Sequence, residues 1–215
     1  MSDALRVRWT VTPQTPPRPW LACSRCHAVR PFRCSEKFRL NARGKILDAW
    51  LIYKCASCDN TWNRPVLERR NRRDIDPFYL HALGTNDARW VRRYAFDVAN
   101  LRKRAERVEE FMDVHTEKRV LSPCSNPPSS LEIVLEIPVP TSLRTDRLLA
   151  SELGLSRSRI EDLTGKGRLV VVEGGAGSLR KSVRDGTRIV LDLATEVDRG
   201  EIARAAAGSE IGPPG

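Results

Sequence analysis

Cys23-Ser24-Arg25-Cys26 and Cys55-Ala56-Ser57-Cys58 are the stretches whose reading decides the fold. Two thiolates three positions apart on a tight turn grip one edge of a metal-ion tetrahedron, and a second such turn completes it. The chain between the pairs has room for two strands and a turn. Lys37-Phe38-Arg39-Leu40 and Ile46-Leu47-Asp48-Ala49-Trp50-Leu51-Ile52-Tyr53 read as strands, with Asn41-Ala42-Arg43-Gly44 as the turn between them. A further short strand is expected through Val66-Leu67. Knuckle, hairpin, knuckle and strand together make an antiparallel zinc ribbon, with Cys23, Cys26, Cys55 and Cys58 holding a structural Zn2+. A disulfide pair and four unrelated core cysteines are the competing readings, and the matched duplicate of the motif favours the metal.

The 215 residues suit one large or two small domains. No apolar run approaches a membrane span, the longest being Ala49-Trp50-Leu51-Ile52-Tyr53. Residues 1–6 carry no signal-peptide core, so the expected location is the cytoplasm, where thiols stay reduced and paired cysteines favour metal over disulfides. The net charge is +10 and is unevenly spread. Residues 1–112 hold 23 Lys/Arg against 12 Asp/Glu, and residues 113–215 hold 14 against 15. A basic front half attracts polyanions, of which nucleic acid is the usual one.

Residues 5–12 alternate as a strand would, and four prolines between residues 13 and 19 enforce an extended connector into the first knuckle. Asp76-Pro77 is a favourable helix start, and that helix is expected to stop near Gly84. Asn86 then caps a longer helix to about Met112, with an apolar stripe at Trp90, Tyr94, Val98, Leu101, Ala105, Val108 and Met112. The Ser/Pro-rich stretch Ser122-Pro123-Cys124-Ser125-Asn126-Pro127-Pro128-Ser129-Ser130 reads as a linker, and Leu131 to Ile137 as a strand opening a second domain. The expected organisation is α+β: a zinc ribbon over 1–75, a helical segment packed on it over 76–120, a linker over 121–130, a small α+β domain over 131–195 and a disordered tail over 196–215.

In that second domain, Leu143-Arg144-Thr145-Asp146-Arg147-Leu148-Leu149 begins a helix that Gly154 can end, and Ser156 can cap another with Ile160 and Leu163 inward. Arg168-Leu169-Val170-Val171-Val172 and Arg188-Ile189-Val190-Leu191 follow as strands. The segment resembles the S-four RNA-binding domain, through Arg144, Asp146, Leu149, Ser156, Arg157, Leu163, Gly167, Arg168, Leu169 and Val171, then Val183, Gly186 and Ile189. The likeness covers about a quarter of the chain. It departs from the family at Glu173-Gly174-Gly175-Ala176-Gly177, where a tight Asn-Gly turn is common, and at Ile160, where a small alanine is usual. Glu161 and Asp162 also temper the positive face.

The resemblance implies RNA contacts from the helix pair and the first strand. The second helix N-terminus, with Arg157 and Arg159, suits a phosphate, and Arg144, Arg147, Lys166 and Arg168 can converge from flanking turns. The whole arrangement also resembles an uncharacterised bacterial family catalogued only as a domain of unknown function, a likeness that supplies no activity.

Other candidate chemistry is sparse. Cys34 reads as a buried structural thiol, and nothing beside Cys124 argues for activation. His27 follows the first knuckle and is an alternative ligand, while His81 and His115 have no visible acid or nucleophile partner. Nucleophile-elbow, phosphate-loop and zinc-protease motifs are all lacking. Glu68-Arg69-Arg70-Asn71-Arg72-Arg73-Asp74 is the densest charge run, open to reading as solvated surface or as a phosphate track. The expected function is a non-enzymatic RNA-binding protein of the ribosome- or tRNA-associated kind, contacting the phosphate backbone of structured RNA, with no membrane partner. The alternative is an interaction or regulatory adaptor whose same modules bind protein.

Overall fold

Leu5, Val7, Trp9 and Val11 are buried at every second position of β1 (Ala4–Pro13), so one face of this strand must meet a core. It meets that core between two strands from the far half of the chain. β1 pairs antiparallel with β7 (Val114–Ser122), Val11 opposite Thr116, and parallel with β8 (Ser130–Glu136), Val7 opposite Ile133. The computed structural model describes residues 3–122, 127–173 and 179–208. Within these residues the fold is α+β, with ten strands in two sheets and six helices. The chain divides into a terminal unit (residues 1–14 and 112–215) and a central unit (residues 15–111) inserted between β1 and β7.

The terminal unit is a five-stranded sheet of order β7-β1-β8-β10-β9, with β9 at Leu169–Glu173 and β10 at Arg188–Asp192. Its core joins the inner faces of these strands to α4 (Thr145–Leu153), α5 (Arg157–Gly165) and α6 (Arg199–Ala207). The helix pair lies where the sequence places it. Gly154 adopts φ 68 after α4, a left-handed position that glycine takes without a Cβ penalty, and the Ser156 hydroxyl accepts from the Arg159 N–H at 3.2 Å to cap α5.

The central unit is an antiparallel sheet of order β5-β4-β3-β2-β6: β2 Arg18–Cys23, β3 Ala28–Arg43, β4 Ile46–Cys55, β5 Thr61–Asn71 and β6 Arg107–Glu109. β5 is an edge strand, which is why Pro65 fits inside it without costing a ladder hydrogen bond. α1 (Pro77–Gly84) and α2 (Ala88–Ala95) pack on this sheet, where Leu47, Ala49, Ile75 and Leu83 form one buried cluster, and α3 (Val98–Arg102) lies against β6. Among the described residues no helix is long and apolar enough to cross a membrane.

Five expectations need correction. β1 belongs to the terminal sheet and not to a ribbon domain over 1–75, and residues 114–122 are a strand of that sheet rather than the end of a helical segment. Residues 121–130 therefore join two strands of one sheet, β7 and β8, both paired to β1, instead of linking two domains. The single helix expected from Asn86 to Met112 is broken. Asp87 caps α2, Asp97 caps α3 by accepting the Asn100 N–H at 3.1 Å, and the chain then extends into β6, paired with β2. Asn86 instead takes φ 56 and accepts the Phe38 N–H at 2.6 Å. The break is stabilised by Arg64, which is buried on β5 and donates to the Tyr94 carbonyl and, at 3.1 Å, to the Asp97 carboxylate. Finally, the segment 196–215 is not a disordered tail over its described part. α6 buries Ile202, Ala203, Ala206 and Ala207, and the Trp9 Nε1–H donates to the Ala206 carbonyl at 2.8 Å.

Candidate functional site

The two Cys-x-x-Cys turns join β2 to β3 and β4 to β5, so the antiparallel topology brings both to the same end of the sheet. In each turn the residue after the second cysteine swings into the left-handed region, His27 at φ 51 and Asp59 at φ 57. The Cys55 N–H donates to the Asn60 carbonyl at 2.8 Å, and the Asp59 N–H donates to the Cys55 carbonyl at 3.0 Å, closing the second turn. The four sulfurs of Cys23, Cys26, Cys55 and Cys58 all lie within 4.8 Å of one another and can hold a metal ion. Cys23 and Cys58 are 3.5 Å apart and Cys26 and Cys55 3.9 Å apart. A tetrahedron with sulfur at about 2.3 Å from the metal has edges of about 3.8 Å, so the donor set fits such an ion. The same separations are far longer than the roughly 2.05 Å of a disulfide, and these four cysteines are free thiols.

Burial opposes ionisation of Cys23, yet the backbone N–H groups of Cys26 and Arg25, the Cys58 thiol and the Asn60 amide outweigh it and hold the thiol down at about 6. Its hydrogen bond with Cys58, then burial, push Cys26 up to about 12. One thiolate therefore forms readily and the next is resisted, a conflict that a bound cation relieves. His27, although adjacent, is not part of the four-residue cluster. Cys34 sits half-buried at a bulge of β3, its thiol pushed up to about 11 chiefly by burial, and its sulfur accepts the Glu36 N–H at 3.4 Å. Cys124 and the loop residues 174–177 lie outside the described residues.

The six candidate cations of the helix pair are not left equally available. Arg144 is forked onto the Asp146 carboxylate beside it. Lys166 pairs with Asp162 at 2.8 Å, one turn back on α5. Arg159 grips Asp198 at 2.5 Å and also Glu196, and Arg168 reaches Glu196 at 2.5 Å and the Asp192 carbonyl at 2.9 Å. Arg147 and Arg157 are exposed and make no ion pair with the described residues. The sequence reading missed Glu196 and Asp198 because they precede an alanine-rich stretch that reads as tail. The only local signal for them was Asp198 standing ahead of Ile202 and Ala203 at helical spacing.

These acids couple the terminal unit to pH. Hydrogen bonds from Arg159 are the main cause holding the Glu196 and Asp198 carboxyls below their ordinary values of 4.5 and 3.8. The folded state thus takes up their protons less readily than the unfolded chain, so the stability they contribute is present above about pH 5 and lost as pH falls through the folded-state values. Thermal melts between about pH 6 and 3 should show a steeper loss for the wild type than for the double variant E196Q/D198N. Parallel curves would contradict the pairing.

The charge run at 68–74 acquires company in three dimensions. The Arg72 N–H donates to the Lys45 carbonyl at 2.8 Å, and Arg70 stands opposite Leu47 in the β4–β5 register. The run therefore lies beside Arg43 and Lys45 of the β3–β4 turn, at the end of the sheet opposite the cysteines. β4 has ten residues, which sets the two ends about 30 Å apart.

The family described as "Protein of unknown function (DUF1062)" matches residues 40–174, and the chain belongs to it. The match takes in Cys55 and Cys58 and begins beyond Cys23 and Cys26. No curated protein and no solved structure matches the chain.

Proposed function

We propose that this chain is a non-enzymatic RNA-binding protein whose central unit is a zinc ribbon stapled by Cys23, Cys26, Cys55 and Cys58. The observation that carries the reading is where the charge lies. Residues 15–111 hold 21 Lys/Arg against 11 Asp/Glu, while residues 1–14 and 112–215 hold 16 of each. The whole formal surplus of +10 thus belongs to the unit that carries the four cysteines. Four sulfur donors in a tetrahedral arrangement suit zinc, and with four protein ligands the ion has no open position for substrate; its contribution is folding energy. Affinity for RNA should fall by a factor on the order of 10³ between 50 and 200 mM salt if about six phosphates are neutralised. Fluorescence anisotropy of a labelled tRNA at those two concentrations tests this, and binding that is absent or insensitive to salt removes the RNA reading.

The adaptor reading draws on a separate observation. In the S-four-like helix pair, Arg159 and Arg168 are occupied by Glu196 and Asp198, leaving a face of mixed charge where an RNA-binding module presents free cations. That face suits a protein partner better than a phosphate backbone. If RNA binding survives R147Q/R157Q unchanged, the helix pair is not the RNA surface and its role is protein contact; a tenfold or greater loss assigns it to RNA instead.

A further inference from the structure

Arg43, Lys45, Arg69, Arg70, Arg72 and Arg73 are all exposed at one end of the β3–β4–β5 sheet. The central unit's ion pairs among the described residues include Arg33–Asp59, Arg64–Asp97, Arg89–Asp87 and Arg102–Glu110, and none of these involves this tip. Four acids are near in sequence, Asp48, Glu68, Asp74 and Asp76, against six cations, and Asp76 is held as the cap of α1 by the Tyr79 N–H at 2.8 Å. Asp48 is already engaged: its carboxylate accepts the Arg69 N–H at 2.8 Å, where Arg69 is held at φ 49 beside a register shift of β4 against β5. A non-glycine residue in that conformation is strained and persists only where its surroundings hold it.

The same end carries an aromatic ring in water. Phe78, on the first turn of α1, is 86% exposed. It stands three residues before His81, hence on a neighbouring face of the helix, and His81 lines an open pocket of about 400 Å³ with Arg72, Ile75, Pro77 and Leu80. Cations that track a phosphate backbone, beside an aromatic face that an unpaired base can cover, are the two components of single-strand recognition. A duplex keeps its bases stacked on each other and leaves such a ring without a partner.

We propose that this tip is the docking surface for an unpaired segment of RNA, with Phe78 as the platform for one base and the five arginines and Lys45 on the phosphates. The proposal deepens, and rests on, the RNA-binding reading above. Its test uses the full-length zinc-loaded protein with a fluorescein-labelled 12-nucleotide oligouridylate and a 12-base-pair RNA duplex. F78A should weaken oligouridylate binding about tenfold, the order produced by losing one base–aromatic stack, and leave duplex binding unchanged. R70Q/R72Q/R73Q should weaken binding and lower the salt slope for the single strand by about 2, at roughly 0.7 per phosphate contact. Zinc content equal to wild type shows that a variant has kept its fold. Should the triple variant lose zinc, K45Q reads the same slope, lowered by about 0.7. Wild-type affinity in F78A or in the tip variants overturns the proposal while leaving RNA binding itself intact. Displacement of the oligouridylate by polyglutamate at equal charge concentration overturns it in favour of an acidic protein partner. A wild-type protein that binds neither probe at low salt overturns the RNA reading along with it.

Discussion

Cys55→Ser, or a strong zinc chelator added to the wild type, is expected to unfold the central unit. Cys55 is fully buried, and its backbone N–H and carbonyl both tie the second knuckle through Asn60 and Asp59. One buried cluster of this unit is Leu47, Ala49, Ile75 and Leu83, with partly buried aromatics around it, and Phe32, Leu51, Tyr53, Val91, Ala95, Phe96 and Leu101 are buried besides. A structural zinc site of this kind contributes an apparent 10–16 kcal/mol or so of binding free energy at neutral pH, comparable to or larger than the roughly 5–15 kcal/mol net stability of a whole domain. Losing one of four ligands should therefore convert the unit to its unfolded, metal-free state. Four of the five tryptophans, Trp20, Trp50, Trp62 and Trp90, lie in the central unit, so the change is visible as a red shift of their emission. An emission spectrum unchanged by chelator would mean that the sheet stands without a metal.

Trp9→Ala should cost the terminal unit about 3–5 kcal/mol, the range for truncating a large buried aromatic. The ring is fully buried on β1, its Nε1–H satisfies the Ala206 carbonyl at 2.8 Å, and the Lys118 ammonium lies 5.1 Å from its centre. Lys118 in turn donates to the Ala205 carbonyl and pairs with Glu152 at 2.8 Å, so the side chain sits among the contacts that fix α6 and α4 to the sheet. Trp9→Phe keeps most of the buried area and loses the hydrogen bond, for a smaller cost of about 1–3 kcal/mol. Urea unfolding read on each unit separately checks the result. A loss below about 1 kcal/mol for Trp9→Ala would contradict the placement of β1 in the terminal core.

The site was legible where its determinants are local. Cysteines three apart, repeated after a hairpin, announce their geometry through spacing alone, and Gly154 followed by Ser156 marks the end of one helix and the start of the next. Long-range pairing was not legible. The alternation of Leu5, Val7, Trp9 and Val11 shows a strand with one buried face, but nothing in it names β7 and β8 as neighbours, and proximity in sequence pointed to the ribbon instead. Asp97 was a visible helix cap inside the expected long helix, overridden in the reading by a stripe of apolar residues at helical spacing. The stripe holds at Leu101, which is buried, but fails before it: Val91, Ala95 and Phe96 are the buried positions, while Trp90, Tyr94 and Val98 are only half-buried. Glu196 and Asp198 could not be matched to Arg159 and Arg168 from sequence, since only the packing of α6 brings that segment back across the helix pair. The basic tip was half legible: the run from Arg69 to Arg73 stands out, whereas Arg43 joins it through the β3–β4 and β4–β5 registers and Lys45 through the bond its carbonyl accepts from the Arg72 N–H.

The most direct test of the account is the X-ray absorption spectrum at the zinc edge of protein purified without added metal. The account predicts one zinc per chain with four sulfur scatterers at about 2.3 Å. A shell containing nitrogen or oxygen, or no zinc at all, would contradict it.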